Sequence, residues 1–173
     1  KALNLSIPVV CGTTGWLDAY EQVTRNAEKK ETAFLYASNF SVGVNIFFKL
    51  NKILAQMMRH QNDYKVSMEE IHHIHKLDVP SGTAITLAEG IIENSDHTGW
   101  KLGEDDKDIV NIKSIRSGEF PGTHNIKYRS NIDEITIEHK AKNREGFAIG
   151  AIIASEWIVG KKGIFKMDDV INL

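Results

Sequence analysis

Several features that mark specialised proteins are scarce or missing in this chain. It contains a single cysteine, Cys11, which excludes a disulfide within the chain and fits a reducing compartment. A formal net charge of −2 gives no reason to expect a nucleic acid or a membrane surface as a partner. No apolar run approaches the roughly 20 residues that cross a bilayer, and the opening Lys1–Asn4 does not read as the start of a signal peptide, because no basic region precedes a long apolar one. We therefore expect a soluble, cytoplasmic protein.

The residues that are present are those of an ordinary globular protein. With 42% hydrophobic and 25% charged residues, the chain has enough apolar surface to build one domain or two small ones without covalent staples. Lys1 to Ser6 resembles the end of a helix that leads into a short strand. Because chains rarely begin with such a connector, we expect this sequence to be a piece of a longer protein.

The first part of the chain alternates between strands and a helix. The apolar run Ile7–Cys11 stops at the turn Gly12–Gly15, a helix is predicted from about Ala19 to Lys30, and a second buried strand is predicted over Ala33–Ala37. Both strands end in small polar residues, and ligands of parallel sheets bind at the carboxyl ends of the strands. The two loops could therefore hold a flat cofactor ring, whereas Cys11 is predicted to be a buried small hydrophobe.

The middle of the chain predicts an open sheet of about four strands with helices packed on it. A long helix is predicted from about Val44 to His60, with a core-facing stripe of Val44, Phe47, Leu50, Leu54, Met57 and Met58. The polar segment Ser95–Asp108 is predicted to be a loop. Strands are predicted at Tyr64–Ile71, Ile109–Arg116, His124–Arg129 and Ile132–Ala141, and helices at Ser81–Asn94 and Phe147–Val159.

The stretch after the first of these strands concentrates groups that transfer protons. Three of the seven histidines, His72, His73 and His75, fall within four residues and are followed by Lys76. Imidazole is the side chain best matched to proton transfer near neutral pH, and an ammonium supplies a cation and a proton donor. Two other readings are an exposed polar cluster and a metal site. Metal is disfavoured because the chain has neither paired cysteines nor a histidine–glutamate helix motif.

A strong helix-start signal follows the histidines. Pro80 cannot extend a helix backward, and Ser81 is a preferred N-cap residue. The amides of Gly82 and Thr83 would then lie at a positive helix end, where carboxylates and phosphates bind. The alternative is a plain capped helix with no ligand.

Two acidic residues precede the histidines. Glu69 and Glu70 are either paired catalytic carboxylates or the solvated end of a strand, and the second interpretation is favoured.

This arrangement resembles the 4-hydroxy-tetrahydrodipicolinate reductase family. The family signature is a histidine pair, two residues, a lysine and an aspartate before Pro-Ser-Gly-Thr-Ala, and it is complete over His72–Ala84. The segments Gly12–Gly15, Asn39–Asn45 and Gly118–His124, and the tail from His139 to Val170, also look like family segments. The resemblance covers essentially the whole chain, but the glycine-rich strand, turn and helix with which family members begin are not in this sequence.

The resemblance implies an α/β fold with two parts. One is the C-terminal remnant of a Rossmann-like parallel sheet, and the other is an α+β substrate domain with an open mixed sheet of about four strands. The expected boundaries are residues 1–40 for the partial dinucleotide-binding domain and 41–144 for substrate binding and oligomerisation. Residues 145–173 would form a helix and tail that return to the first domain.

The resemblance also implies a reaction and its residues. It implies reduction of 4-hydroxy-tetrahydrodipicolinate, through the dihydrodipicolinate imine, with NADH or NADPH in lysine and diaminopimelate biosynthesis. His72 would be the acid–base group and Lys76 a proton donor. Substrate carboxylates would be bound by His73, Ser81, Gly82 and Thr83. The nicotinamide end of the cofactor would lie against Gly12, Thr13, Thr14, Ala37, Ser38, Asn39 and Phe40.

The implied partners are a cyclic dicarboxylate and further copies of the chain in a homotetramer, with no metal, nucleic acid or membrane. The alternative is a non-catalytic fragment of such an enzyme that binds dicarboxylates and oligomerises.

Overall fold

The structure is a computed structural model that describes residues 1–13, 15–103 and 107–172. Its strands are β1 (Val9–Cys11), β2 (Ala33–Tyr36), β3 (Lys65–His72), β4 (Gly99–Leu102), β5 (Ile109–Arg116), β6 (Thr123–Arg129), β7 (Glu134–Lys140) and β8 (Gly163–Phe165). Its α-helices are α1 (Tyr20–Lys29), α2 (Val42–Met58), α3 (Gly82–Glu93), α4 (Glu145–Trp157) and α5 (Met167–Ile171). Among the described residues, no helix is long and apolar enough to cross a membrane.

The chain divides into two compact units. The first comprises Lys1–Asn45 and the segment from Glu145 onward, and the second comprises Ile46–Arg144.

The first unit is built on a three-stranded parallel sheet. Its strand order is β1-β2-β8, and β2 pairs in parallel with both neighbours. Alternate side chains of β2 point to opposite faces: Leu35 joins a core with Ala154 of α4, whereas Phe34 packs with Ala27 of α1. The sequence-based prediction of a Rossmann-like parallel remnant is thereby confirmed.

The second unit is built on a five-stranded mixed sheet with the strand order β4-β5-β3-β6-β7. Strand β3 lies at its centre, parallel to β5 and antiparallel to β6. Its buried residues alternate with half-exposed ones, so one face of β3 packs under α2 and α3 and the other remains partly open.

The loop predicted over Ser95–Asp108 contains a strand that the sequence analysis missed. Strand β4 pairs in parallel with β5, so the sheet has five strands rather than about four. Trp100 anchors this edge strand because its ring packs against the core. An edge strand of four residues, none of them fully buried, carries little periodicity, and the polar residues around it obscure that signal.

The face of α2 that is buried also differs from the prediction. Val44 and Phe47 are buried as expected, but Leu50 is 46% exposed and Met57 is 69% exposed. The helix instead turns Ala55 and the fully buried Asn51 inward, and the Asn51 side-chain amide donates to the Leu87 carbonyl at 2.8 Å. Apolar residues surround most of this helix, so its hydrophobic period does not determine which stripe faces the core.

Candidate active site

The site begins where the central strand of the second unit ends. His72 is the last residue of β3 and its side chain is buried. The chain then continues along a neighbouring loop, since the His73 amide donates to the Phe120 carbonyl at 2.9 Å and the Ile74 amide donates to the Gly118 carbonyl at 3.2 Å. These bonds fix the segment that carries the remaining histidines and Lys76.

Glu70 lies at the centre of the site and contacts most of its other polar residues. The sequence-based interpretation of Glu69 and Glu70 as a solvated strand end is therefore wrong for Glu70. Its side chain is completely buried on the face of β3 that also carries His72, whereas Glu69 faces the other way and pairs with Lys113 at 3.0 Å. The two carboxylates are therefore not a catalytic pair. Burial alone would raise the pKa of Glu70, but the contact with His72 and the hydrogen bonds from Ser81 and Ser114 outweigh it and hold that pKa far below its ordinary value.

Each oxygen of the Glu70 carboxylate has its own partners. Oε1 accepts from the Ser81 amide at 3.0 Å, the Ser114 hydroxyl at 2.8 Å and the Arg116 guanidinium at 3.1 Å. Oε2 is 3.2 Å from the Ser81 amide nitrogen, 3.2 Å from Nδ1 of His72 and 3.7 Å from Nε2 of His124. Nδ1 of His72 is close to this oxygen, but it makes no hydrogen bond in the structure. Such bonds commonly align only when substrate is present.

His124 is a member of the site that the sequence analysis did not assign. It lies on β6 directly opposite Glu70, its ring centroid is 5.1 Å from that of His72, and its Nε2 is 3.2 Å from the Ser81 hydroxyl. Burial, and then the neighbouring His72, lower the pKa of His124 to about 3. At physiological pH, His124 is therefore a neutral imidazole that lines the site next to His72 and Ser81, and it is not a cation.

Lys76 is held by an aspartate from the same turn. Its Nζ lies 2.7 Å from Oδ1 of Asp78, and the Gly82 amide also bonds to that carboxylate. Partial burial opposes the shift, but the bonds from Lys76 and the backbone lower the pKa of Asp78. Asp78 thus occupies the same cation and amide that the sequence analysis assigned to a substrate carboxylate.

The predicted helix start is present at the N-terminus of α3. The Ser81 hydroxyl accepts from the Ala84 amide at 3.2 Å, as an N-cap residue does. The Ser81 amide is bound to the Glu70 carboxylate, and the Gly82 amide is bound to the Asp78 carboxylate. Gly82 is exposed and Thr83 is half-buried. The positive end of a 12-residue helix therefore lies in the same turn as Lys76.

The second histidine of the pair faces a different cation. Nε2 of His73 is 2.8 Å from Nη2 of Arg144, another residue that the sequence analysis missed. Desolvation, and then the Arg144 charge, lower the pKa of His73. His75 is exposed and lies 3.6 Å from Glu119. The structure therefore separates the three histidines into one buried, one paired with arginine and one on the surface.

Glu70, His72 and His124 also have the composition of a metal site. Their potential ligand atoms lie within 4.8 Å of one another. The same carboxylate, however, is in direct contact with the Arg116 guanidinium and accepts a backbone N–H. A divalent ion would have to share those oxygens with a fixed positive charge, so the donor set fits a hydrogen-bonded carboxylate better.

The residues assigned to the cofactor lie in the first unit. Gly12 and Thr13 follow β1, Ala37 to Phe40 follow β2, and Thr14 lies outside the described residues. The Ala37 amide donates to the Cys11 carbonyl at 3.1 Å, so the two strand ends are adjacent.

The backbone at Gly12 touches an aromatic ring. A Cβ at Gly12 would come within 2.8 Å of the Phe40 ring, so only glycine allows this contact. Cys11 is half-buried rather than buried.

Comparison with known proteins identifies relatives along nearly the whole chain. A family model described as dihydrodipicolinate reductase, C-terminus, matches residues 43–171. The 4-hydroxy-tetrahydrodipicolinate reductase of Christiangramia forsetii is 55% identical over 168 residues, which cover 96% of this chain and 70% of that protein. The protein of the same name from Neisseria gonorrhoeae is 32% identical, with 100% of this chain and 66% of that protein covered.

A solved structure gives the same result for the fold. The dipicolinate-bound dihydrodipicolinate reductase from Paenisporosarcina sp. TG-14 superposes with a TM-score of 0.74 at 25% identity, covering 95% of this chain and 64% of that one. The chain thus spans about two thirds of the length of its relatives. These matches agree with the signature over His72–Ala84, and the chain belongs to the 4-hydroxy-tetrahydrodipicolinate reductase family.

Proposed function

We propose that this protein reduces 4-hydroxy-tetrahydrodipicolinate, through the dihydrodipicolinate imine, to tetrahydrodipicolinate with NADH or NADPH. The observation that carries the proposal is the grouping of His72, Lys76 and the N-terminus of α3 in one turn at the end of β3. The names of the relatives support the same reaction. The reaction would belong to lysine and diaminopimelate biosynthesis in the cytoplasm, a reducing compartment that suits a protein with a single cysteine.

The second unit would bind the substrate and supply its proton. A substrate carboxylate would displace Asp78 and take the Lys76 ammonium and the amides of Gly82 and Thr83. Ser81 would hold this turn in place rather than contact the ligand, because its amide and hydroxyl are already bonded. His73, with Arg144 beside it, would bind a further anionic or carbonyl oxygen.

Proton transfer would come from groups that lie around this anion site. Lys76 would donate to the reduced imine once the substrate has displaced Asp78, and His72 would act as the acid–base group. His124 stays neutral, so it adds no charge that would compete with these two.

The first unit would hold the nicotinamide end of the cofactor. When bound, the nicotinamide supplies the hydride. The residues after β1 and β2 fit such a ring because the Gly12 backbone lies against the Phe40 ring, and Thr13, Ser38 and Asn39 adjoin these two residues in the sequence. Ala37 would line the same edge, because its amide donates to the Cys11 carbonyl at the end of β1. We include Thr14 in this set from the family pattern alone.

We further propose a homotetramer formed through the half-exposed face of the sheet. This face carries uncharged polar, apolar, acidic and basic residues, among them Ser67, Ile71, Glu69 and Lys113. Interfaces between identical copies are self-complementary and mix polar with apolar residues, so such a face is suited to cover itself across a symmetry axis. Light scattering after size exclusion tests this, and a monomer at micromolar concentration would contradict it.

The experiment for the function has a binding arm and a turnover arm. Dipicolinate binding to the 173-residue chain is measured by calorimetry, and turnover is measured in the gene product with any residues encoded before Lys1. Lys76→Ala should weaken dipicolinate binding by about 10- to 100-fold, because a hydrogen bond to a charged group contributes about 1.5–3 kcal/mol. His72→Gln should leave binding nearly unchanged and reduce turnover by at least about 100-fold.

The matched control is His75→Gln, which makes the same change at an exposed position three residues away. It should retain both binding and turnover. Wild-type turnover in His72→Gln or Lys76→Ala would refute the assigned roles, and absence of turnover in the wild type would refute the proposed reaction.

A further inference from the structure

The buried charge of Glu70 is not explained by any role in binding or proton donation. Its side chain is inaccessible to solvent in the middle of the second unit. Burying a carboxylate is costly unless every lone pair is satisfied. An apolar residue at this position of β3 would continue the core formed by Val66 and Met68. The carboxylate therefore has a task that an apolar side chain cannot perform.

The distribution of its partners indicates what that task is. Oε1 contacts only groups that hold the scaffold together: the Ser81 amide, the Ser114 hydroxyl and Arg116. Arg116 also donates to the Asp78 carbonyl at 2.7 Å, so it ties the same carboxylate to the turn that carries Lys76. Oε2 shares the Ser81 amide at 3.2 Å and faces the two buried imidazoles, with Nδ1 of His72 the nearer at 3.2 Å.

The other side of the His72 ring is kept open by a glycine. A Cβ at Gly122 would approach Nε2 of His72 to 3.0 Å, and the backbone there has a φ of +152°. If Nδ1 carries the hydrogen and points to Glu70, the lone pair of Nε2 lies on this uncrowded side. That is the nitrogen through which the ring can exchange a proton.

We propose that Glu70 is a positioning residue that fixes the Nδ1–H tautomer and ring orientation of His72 while its other oxygen holds the N-cap of α3. The proposal rests on the proposed acid–base role of His72. It means that one buried carboxylate sets the distance between the acid–base group and the anion-binding turn. Glu70 contacts no substrate in this scheme and acts only through His72 and Ser81.

The variant Glu70→Gln separates the two tasks of the carboxylate. Oε1 receives three scaffold donors, so the glutamine carbonyl must take that place and its NH₂ must turn toward His72. A donor facing Nδ1 forces the opposite tautomer, with the hydrogen on Nε2. In carboxylate–histidine pairs of this kind, an amide in place of the carboxylate can cost up to about 10⁴-fold in turnover.

Three measurements compare Glu70→Gln with the wild type and with Glu69→Gln. The control makes the same change one residue earlier, on the opposite face of β3 beside Lys113. Long-range ¹H–¹⁵N spectra at pH 9, above the ordinary pKa of imidazole, report the tautomer of His72, whose signals are assigned by their loss in His72→Gln. Dipicolinate affinity reports the anion-binding turn, and kcat reports the reaction.

We expect the wild type and Glu69→Gln to show His72 with hydrogen on Nδ1. Glu70→Gln should show it on Nε2, with dipicolinate affinity within about threefold of wild type and kcat reduced at least 100-fold. An Nε2–H tautomer in the wild type would overturn the proposal even if the variant failed to fold. So would an unchanged tautomer in Glu70→Gln, whether turnover stays at the wild-type level or falls together with affinity.

The proposed acid–base role can fail separately. If the tautomer reverses in Glu70→Gln while kcat stays at the wild-type level, Glu70 positions a ring that the reaction does not use. His72→Gln would then also retain turnover. That pair of results would refute the acid–base role and, with it, the catalytic consequence of the positioning.

Discussion

Gly150 of α4 is the position at which a single added methyl group should be least tolerated. A Cβ there would lie 1.8 Å from the carbonyl oxygen of Phe40 and 2.7 Å from its carbonyl carbon. Real Cβ contacts essentially never fall below 3.0 Å. Helix α4 and the Phe40 segment would therefore have to separate by about 1.2 Å, the difference between the first and last of these distances.

Two opposing effects determine the size of the change in Gly150→Ala. Alanine favours a helix interior by up to about 1 kcal/mol over glycine. Overpacking costs about 1–3 kcal/mol and more where backbone must move. Here the obstruction is backbone, so the upper end applies. We expect a net loss of about 2 kcal/mol in the free energy of unfolding, which lowers Tm by about 4–8 °C for a chain of this size.

The control for this prediction lies one turn earlier on the same helix. A Cβ at Gly146 would meet the Ser41 hydroxyl at 3.5 Å, an ordinary contact. Gly146→Ala should therefore be as stable as the wild type or slightly more stable. Urea unfolding followed by tryptophan fluorescence reports the relevant unit, because Trp16 and Trp157 both lie in it. Equal midpoints for the two variants would refute the packing argument.

Four further predictions concern the second unit. Gly122→Ala should lower stability by about 1–2 kcal/mol because of its positive φ, and should reduce turnover more than dipicolinate affinity because it crowds His72; Gly82→Ala, where a Cβ meets nothing within 4 Å, is its stability control. Asp78→Asn should tighten dipicolinate binding about two- to fivefold in calorimetry, since it removes a partly exposed ion pair with Lys76 that contributes up to about 1 kcal/mol; weaker binding would contradict the proposed competition between Asp78 and the substrate carboxylate for Lys76. The unfolded state binds a proton at His124 near pH 6.5, but the folded state does so only near pH 3. Lowering the pH from 6.5 to 4 should therefore reduce the free energy of unfolding by about 3 kcal/mol through this group. In urea unfolding at several pH values, His124→Gln should lose less stability over the same range. Dialysis against EDTA should leave dipicolinate affinity and turnover unchanged, and stoichiometric metal by elemental analysis would contradict this.

Much of the fold could be predicted because its signals are local. The strand–helix–strand opening, the capped start of α3 and the alternating strands each depend on residues within a few positions of one another. The same holds for the site residues of the turn. His72, Lys76 and Ser81 fall within ten residues of chain, and their chemistry is readable without knowledge of what packs against them.

The rest of the site could not be predicted from the sequence because pairing between strands creates it. Ser114, Arg116 and His124 reach Glu70 only through the neighbouring strands β5 and β6, and Arg144 reaches His73 from the end of the unit. One signal was nevertheless available. Glu70 lies two residues from Met68 and from His72, so strict alternation puts it on the buried face.

The register of the central strand therefore determines the candidate site as well as the fold. Glu70 lies opposite Ser114 on β5 and His124 on β6, and His72 lies opposite Arg116. A shift of one residue in either pairing would move every one of these side chains to the other face of the sheet. The buried carboxylate would then lose the hydroxyl, guanidinium and imidazole that make its burial tolerable. The charge that positions His72 thus also penalises wrong registers of β3, so the geometry of the site and the uniqueness of the sheet depend on the same residue.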